Sequence, residues 1–117
     1  MDNLFKEKSE YIRIFLGTEI ETDPYEHTVE ETLLNSIPIK AIVSDISPAS
    51  SQWKMPGIVS EKTKQIIIKK KHEDMLKMSR KIKIGDDYYY GWKVNGRLNY
   101  VIEGEYLKAY VYIKKES

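Results

Sequence analysis

The sequence predicts an all-β protein, a small barrel or sandwich of about six or seven strands with one short helix and one long loop. Short runs rich in β-branched and aromatic residues recur along the chain, and turn signals separate them. The pair Asn95-Gly96 is the strongest hairpin signal, because both central positions of a type I′ turn require positive φ. The last run alternates, with Leu107, Ala109, Val111 and Ile113 on one face.

The composition favours one soluble domain spanning residues 1–117. Cysteine is absent, which excludes disulfides, thiolate metal sites and cysteine nucleophiles. No apolar run approaches the roughly 18 residues of a membrane span, so no membrane partner is expected. The N-terminus lacks the basic start and apolar stretch of a secretory signal, which favours synthesis in the cytosol.

The net charge of +1 conceals a division of charge along the chain. Residues 1–31 form an acidic N-terminal segment, with nine acids against three basic residues. Residues 62–83 are the reverse, with nine basic residues against two acids. Segregated charge favours head-to-tail contact between copies or attraction to phosphate and acidic surfaces. A solvated lysine-rich face explains the basic segment equally well.

Several elements are predicted in the first half of the chain. They are a helical lead-in over 4–10, a strand over 11–16, an acidic loop over 18–28, a short strand over 29–35 and a strand over 39–46. Pro38 confines its neighbourhood to a sheet edge or a strand start, because proline cannot donate a hydrogen bond to a ladder.

A long loop is predicted over residues 47–61, where two prolines, a glycine and four serines resist regular structure. Its apolar residues distinguish it from a disordered linker. We therefore expect the loop to dock on its own barrel or on a partner. The candidate channel or docking residues are Trp53, Lys54, Met55 and Ile58.

The second half of the chain, the strand, helix and hairpin part over 62–117, begins with a strand over 63–70 and a short helix over 71–79. Glu73 and Lys77 have i, i+4 spacing in that helix, and its apolar side is Met75, Leu76 and Met78. The remaining predicted strands cover residues 81–84, 88–94, 97–102 and 106–113.

No catalytic residue, cofactor site or metal site is predicted, so the protein is expected not to be an enzyme. His27 and His72 lie far apart in charged segments, and neither accompanies a recognisable nucleophile. Asp86-Asp87 follows a glycine and precedes a strand, a position typical of a turn. No glycine-rich phosphate-binding loop is present.

A basic patch and an aromatic cluster point to nucleic acid as one alternative. The patch comprises Lys64, Lys69, Lys70 and Lys71, and the aromatic cluster Tyr88, Tyr89, Tyr90 and Trp92 follows it. A small barrel that stacks bases and neutralises phosphates uses these residue types. Against this, the isoelectric point of 7.8 is low for a dedicated binder, and strand alternation places half of the aromatics in the core.

The final strand offers a candidate subunit interface. Tyr106, Tyr110 and Tyr112 lie opposite its aliphatic face, and tyrosine is enriched at interfaces because it supplies contact area with a polar tip. The alternative is that this face packs under the N-terminal segment or the 47–61 loop.

The order of these parts resembles the head-tail connector proteins of tailed bacteriophages and prophages of Gram-positive hosts, and is most similar to the stopper or head-closure family. The resemblance rests on the strand over 39–46, the Ser/Pro/Gly loop after it, and the run Ile82-Lys83-Ile84-Gly85-Asp86-Asp87-Tyr88-Tyr89-Tyr90 before the last hairpins. It covers most of residues 37–117 and little of the acidic segment.

The resemblance implies a structural protein of the virion neck, made in the bacterial cytoplasm. It implies a homo-oligomeric ring, six- or twelvefold, between the portal–adaptor complex and the tail terminator or tail proteins. The loop over 47–61 would project toward the channel and help to retain packaged DNA, with a non-specific DNA contact there. A tail terminator or other neck protein and a small barrel that binds single-stranded nucleic acid are the alternatives.

Overall fold

A computed structural model describes residues 2–16, 35–47 and 62–113. The strand predicted over 29–35 and the docking residues of the long loop, Trp53, Lys54, Met55 and Ile58, lie outside the described residues, apart from Asn35 itself. The helices are α1 (Asp2–Lys8) and α2 (Glu73–Lys77), and a 3-10 turn (Lys70–His72) precedes α2. The strands are β1 (Ser9–Leu16), β2 (Asn35–Asp45), β3 (Thr63–Lys69), β4 (Ser79–Ile84), β5 (Asp87–Gly91), β6 (Lys93–Val94), β7 (Arg97–Leu98), β8 (Tyr100–Glu103) and β9 (Tyr106–Tyr112).

Six antiparallel strands close into a barrel in the order β3-β2-β1-β4-β5-β9, and pairing of β9 with β3 completes the circle. The closing register runs from Thr63 opposite Tyr112 to Lys69 opposite Tyr106. β8 is an additional strand beside β9. The prediction of a small β-barrel is therefore confirmed.

The barrel interior is filled by alternate side chains of its strands. On β9 the inward positions are the predicted ones, Leu107, Ala109 and Val111, and each is fully buried. Isoleucine dominates elsewhere because a β-branched side chain packs well on a pleated surface. The remaining core residues are Ile12, Ile14, Ile39, Ala41, Ile66, Ile68, Leu76, Ile82, Ile84 and Tyr89.

The strands predicted over 88–94 and 97–102 are each interrupted, which the sequence did not indicate. β3 occupies one edge of β9, so β5 and β8 follow one another along the other edge. Between them the β6–β7 hairpin leaves the barrel. Its turn is the predicted one, with Asn95 at φ 53° and Gly96 at φ 78°. At this point Gly91 lies against the Leu98 side chain, and an added Cβ atom would displace the Leu98 methyl group.

The strand predicted over 39–46 begins earlier, at Asn35, and runs through Pro38. Pro38 is compatible with the sheet because β2 pairs with β3 only over Ile42–Asp45. At Pro38 the described part of β2 has a partner in β1 alone, opposite Arg13. The expectation that this proline lies at a local sheet edge therefore agrees with the pairing of β2. The predicted start of the strand, at residue 39, was wrong, because β2 begins at Asn35.

Two short helices cover parts of the barrel. Phe5 of α1 is 3% exposed and packs on Tyr106, with 5.4 Å between ring centroids. Leu76 of α2 joins the core at the end where β3 leads into β4. Met75 packs partly on the core, but Met78 is 69% exposed, so its predicted place on the apolar side was wrong.

Candidate functional site: one mouth and one face of the barrel

One mouth of the barrel is where the segment between β2 and β3 leaves and returns. The Ile46 amide donates to the Thr63 carbonyl oxygen at 3.0 Å, and the Thr63 hydroxyl donates to the Ile46 carbonyl oxygen at 3.2 Å. Two hydrogen bonds thus hold the two ends of this connection against one another. The chain therefore leaves β2 and enters β3 at adjacent points of this mouth.

Ion pairs surround this attachment point. The Lys64 ammonium lies 2.5 Å from Asp45 Oδ1, and the Lys62 ammonium lies 3.0 Å from Asp87 Oδ2. The hydrogen bond from Lys64 lowers the pKa of Asp45, and the same bond raises the pKa of Lys64. Beneath them Tyr89 is 1% exposed, and burial raises the pKa of its hydroxyl.

The predicted basic patch does not form one surface. Lys64 lies at the mouth, half-buried and paired with Asp45, near the start of β3. Lys69, at the other end of that strand, extends over the Phe5 ring at 5.7 Å from its centroid. Lys70 and Lys71 follow it in the exposed 3-10 turn. Only Lys69, Lys70 and Lys71 therefore remain together.

The tyrosines of β9 differ in how much surface they offer. Tyr106 is 8% exposed beneath Phe5, so its ring is covered within the chain, as the alternative interpretation anticipated. Tyr110 and Tyr112 are half-buried, and Tyr112 contacts Tyr90 with 6.4 Å between ring centroids. The tyrosine face that another subunit could reach consists of Tyr110 and Tyr112.

A second surface, which the sequence analysis missed, lies on the outside of four neighbouring strands. We call it the lysine–aromatic face. Its members are Tyr11, Arg13 and Phe15 of β1, Lys40 of β2, Lys81 and Lys83 of β4, and Tyr88 of β5. The signal was present, because Tyr11, Arg13 and Phe15 alternate with the inward Ile12 and Ile14.

Cations and rings alternate across this face. In the sheet register Tyr11 is opposite Lys40, and Lys83 lies between Arg13 and Tyr88. The Lys40 ammonium is 5.5 Å from the Tyr11 ring centroid, and the Lys83 ammonium is 5.8 Å from that of Tyr88. Such contacts between a cation and a ring face are attractive.

Lys81 adds the densest contact of the face. Its ammonium is 4.5 Å from the Tyr88 ring centroid and 5.2 Å from that of Phe15. The two rings meet edge to face at 5.7 Å. The centre of the face is thus an ordered arrangement of one cation and two rings.

Other polar residues give little indication of chemistry. His72 is half-buried beside the lysines of the 3-10 turn. Burial lowers the pKa of His72 most, and the charges of Lys71 and Lys69 lower it further. Asp86 lies in the predicted turn and Asp87 is paired with Lys62. Within residues 2–16, 35–47 and 62–113 no group of three or more His, Asp or Glu residues could hold a metal ion.

The described helices are all too short to span a bilayer. Comparison with family models, with curated proteins and with solved structures found no match to this chain.

Proposed function

We propose that this protein is a structural subunit of the neck of a tailed bacteriophage, a stopper or head-closure protein. In this function it forms a ring that joins the portal–adaptor complex to the tail and helps to retain packaged DNA. Its place is the neck of the virion, and it has no catalytic role.

The attachment of residues 47–61 at one mouth of a closed barrel carries this proposal. A connector that gates a channel needs a rigid body and a segment that extends from it. The bonds between Ile46 and Thr63, with the Asp45–Lys64 pair beside them, anchor both ends of this insertion to the barrel. We assign the gating role to the residues between these anchors.

The closed ladder also limits how copies can associate. Closing a sheet into a barrel reduces the edges through which strands of different copies would pair, and edges remain at β8, which lies beside β9, and in the first half of β2, which lies beside β1. A ring of six or twelve copies needs two different patches that meet head to tail. Tyr110 and Tyr112 supply one such patch, and buried tyrosines contribute more binding energy than screened surface charges.

Replacing residues 48–58 with a short Gly-Ser linker tests the role of the insertion. In a phage genome that encodes this chain, we expect the variant protein to keep its thermal unfolding transition while virions lose packaged DNA or fail to join tails. Electron microscopy of particles gives the readout. Normal DNA-filled, tailed virions would contradict the proposal, and DNA-filled heads beside tails of irregular length would indicate a tail terminator instead.

A second experiment addresses assembly. Changing Tyr110 and Tyr112 to Ser should reduce incorporation into virions more than changing Lys69 and Lys70 to Glu, provided that both variants unfold cooperatively. Mass spectrometry of purified particles measures incorporation. Normal incorporation of the tyrosine variant together with loss of the lysine variant would show that the β9 tyrosines serve only packing within the chain.

A further inference from the structure

We propose that the lysine–aromatic face binds single-stranded nucleic acid. The face lies on the outside of strands β2, β1, β4 and β5, and its side chains differ from those that anchor the connection between β2 and β3. The inference therefore does not depend on the neck function, and the isolated protein suffices to test it.

Two cations occupy opposite positions on this face. Arg13 and Lys83 are directly opposite on the neighbouring strands β1 and β4, on the outward side. The Arg13 guanidinium donates a hydrogen bond to Ser36 Oγ at 3.0 Å, and the Lys83 ammonium lies 5.8 Å from the Tyr88 ring centroid, so each side chain extends toward a different neighbouring strand. Like charges at opposite positions of a sheet repel. A phosphate bound between them would relieve the repulsion, because each of its oxygens accepts hydrogen bonds from a guanidinium or an ammonium.

Within residues 2–16, 35–47 and 62–113, the strands that carry this face place no carboxylate on it. The outward positions of β1, β2, β4 and β5 contain neither Asp nor Glu. Among the described residues no carboxylate pairs with Arg13, Lys40 or Lys83. Lys62 and Lys64 at the mouth, in contrast, each have an aspartate partner. Local charge of one sign attracts a polyanion even when the net charge of the chain is only +1.

The aromatic residues select the kind of polyanion. Tyr11 is 68% exposed and Tyr88 is 42% exposed, although both would be better buried by the hydrophobic effect alone. Exposed rings beside cations form a stacking surface for bases of any sequence. An acidic protein surface would satisfy the charges but would leave these rings without a specific partner.

Single strands fit this surface better than duplexes. Bases in a duplex stack on one another, so their faces are not available to Tyr11 or Tyr88, whereas unpaired bases can stack on side chains. Outward residues two apart on a strand are about 6.7 Å from one another, and neighbouring strands are about 4.8 Å apart. The four strands therefore span about 14 Å, enough for a segment of a few nucleotides.

Fluorescence anisotropy with a labelled thymidine oligonucleotide of about 12 nucleotides tests the proposal on the full chain. We expect binding that weakens as salt rises from about 50 to 200 mM. The double variant R13Q/K83Q should bind about 10-fold more weakly, and its slope of log affinity against log salt should be smaller by about 1.4, since each lost phosphate contact on a single strand changes it by about 0.7.

The matched control is K70Q/K71Q, which removes the same charge from the exposed 3-10 turn. It should leave affinity within about twofold of the unmodified protein, because screened charges distant from the bound strand contribute little. If K70Q/K71Q reduced binding as much as R13Q/K83Q, the oligonucleotide would be responding to total charge and the proposal would be wrong.

The stacking surface has its own pair of variants. Tyr11→Ala should lower affinity about 5-fold or more, the loss expected for one stacked base, whereas Tyr11→Phe keeps the ring and should retain affinity. At 68% exposure this residue can change at only a small cost to folding, the loss of its contact with Lys40. Equal affinities of the alanine and phenylalanine variants would refute base stacking at this ring.

Two further ligands complete the experiment. A duplex of the same sequence should bind more weakly than the single strand and should not respond to Tyr11→Ala. A poly-glutamate peptide should compete poorly. Tight binding of poly-glutamate without binding of the oligonucleotide would overturn the proposal and indicate an acidic protein partner for this face.

Discussion

Leu76 is the side chain through which the short helix α2 joins the barrel core, and its truncation to Ala gives the sharpest test of the fold. The residue is 1% exposed, whereas Met78, two positions later, is 69% exposed. A helix of five residues is not stable by itself, so its place depends on this contact. Losing three buried carbons removes about 2.4 kcal/mol of transfer free energy, and the remaining cavity raises the cost to about 3 kcal/mol.

This cost converts into a measurable shift of the melting temperature. At about 2.1 cal/mol/K per residue, a domain of this length unfolds with an entropy near 250 cal/mol/K, so about 3 kcal/mol lowers Tm by about 12 °C. Thermal unfolding followed by circular dichroism measures the shift. Met78→Ala is the matched control on the same segment and should change Tm by less than about 2 °C, in line with surface substitutions. Equal shifts for the two variants would show that α2 does not pack on the barrel as described.

Three other outcomes are expected from single substitutions. Gly96→Ala should destabilise the protein by roughly 1–2 kcal/mol in urea titrations, because its φ is 78° and no neighbouring atom obstructs the new methyl group, which leaves backbone strain as the whole effect. Tyr100→Phe removes the hydrogen bond that its hydroxyl donates to Glu73 Oε2 at 2.8 Å and should cost about 1.5 kcal/mol by the same titration, whereas an unchanged midpoint would show that the bond contributes nothing net. The hydrogen bond from Lys64 holds the pKa of Asp45 in the folded state below the ordinary value of an aspartate, so this pair stabilises the fold above that ordinary value and its contribution is lost as the pH falls through the folded-state pKa. The same titration of Asp45→Asn should therefore show a shallower loss of stability in acid.

Local signals in the sequence predicted the local structure. The Asn95-Gly96 turn was recognisable because few residue pairs tolerate positive φ at both positions. The strand β9 was recognisable because Leu107, Ala109 and Val111 alternate with polar and aromatic neighbours. Alternation of apolar and polar residues is sufficient to predict a strand when one face of that strand is buried and the other is exposed.

Pairings between distant parts of the chain could not be predicted in this way. Closure of the barrel depends on Thr63 meeting Tyr112, and no local pattern specifies that partner. For the same reason the sequence did not predict that Lys64 lies apart from Lys69, Lys70 and Lys71. A run of lysines does not reveal that Lys64 pairs with Asp45 at the mouth. The lysine–aromatic face is likewise a product of pairing, because Arg13 and Lys83 are far apart in sequence and adjacent only in the sheet.

The strand order also connects the two proposals. In the circle β3-β2-β1-β4-β5-β9, strand β1 at the centre of the lysine–aromatic face is three places from β9, although the face extends to β5, where Tyr90 contacts Tyr112. A head-to-tail ring in which the tyrosine face of Tyr110 and Tyr112 meets a neighbour needs a different patch on that neighbour, and the β1 side of the barrel can provide it. A subunit and a nucleic acid would then compete for one face.

We therefore expect a thymidine oligonucleotide to suppress self-association in sedimentation velocity runs, and R13Q/K83Q to weaken self-association and oligonucleotide binding together. Self-association that is indifferent to both the oligonucleotide and this variant would show that the ring uses other sides of the barrel and leaves the lysine–aromatic face open to the channel or to solvent.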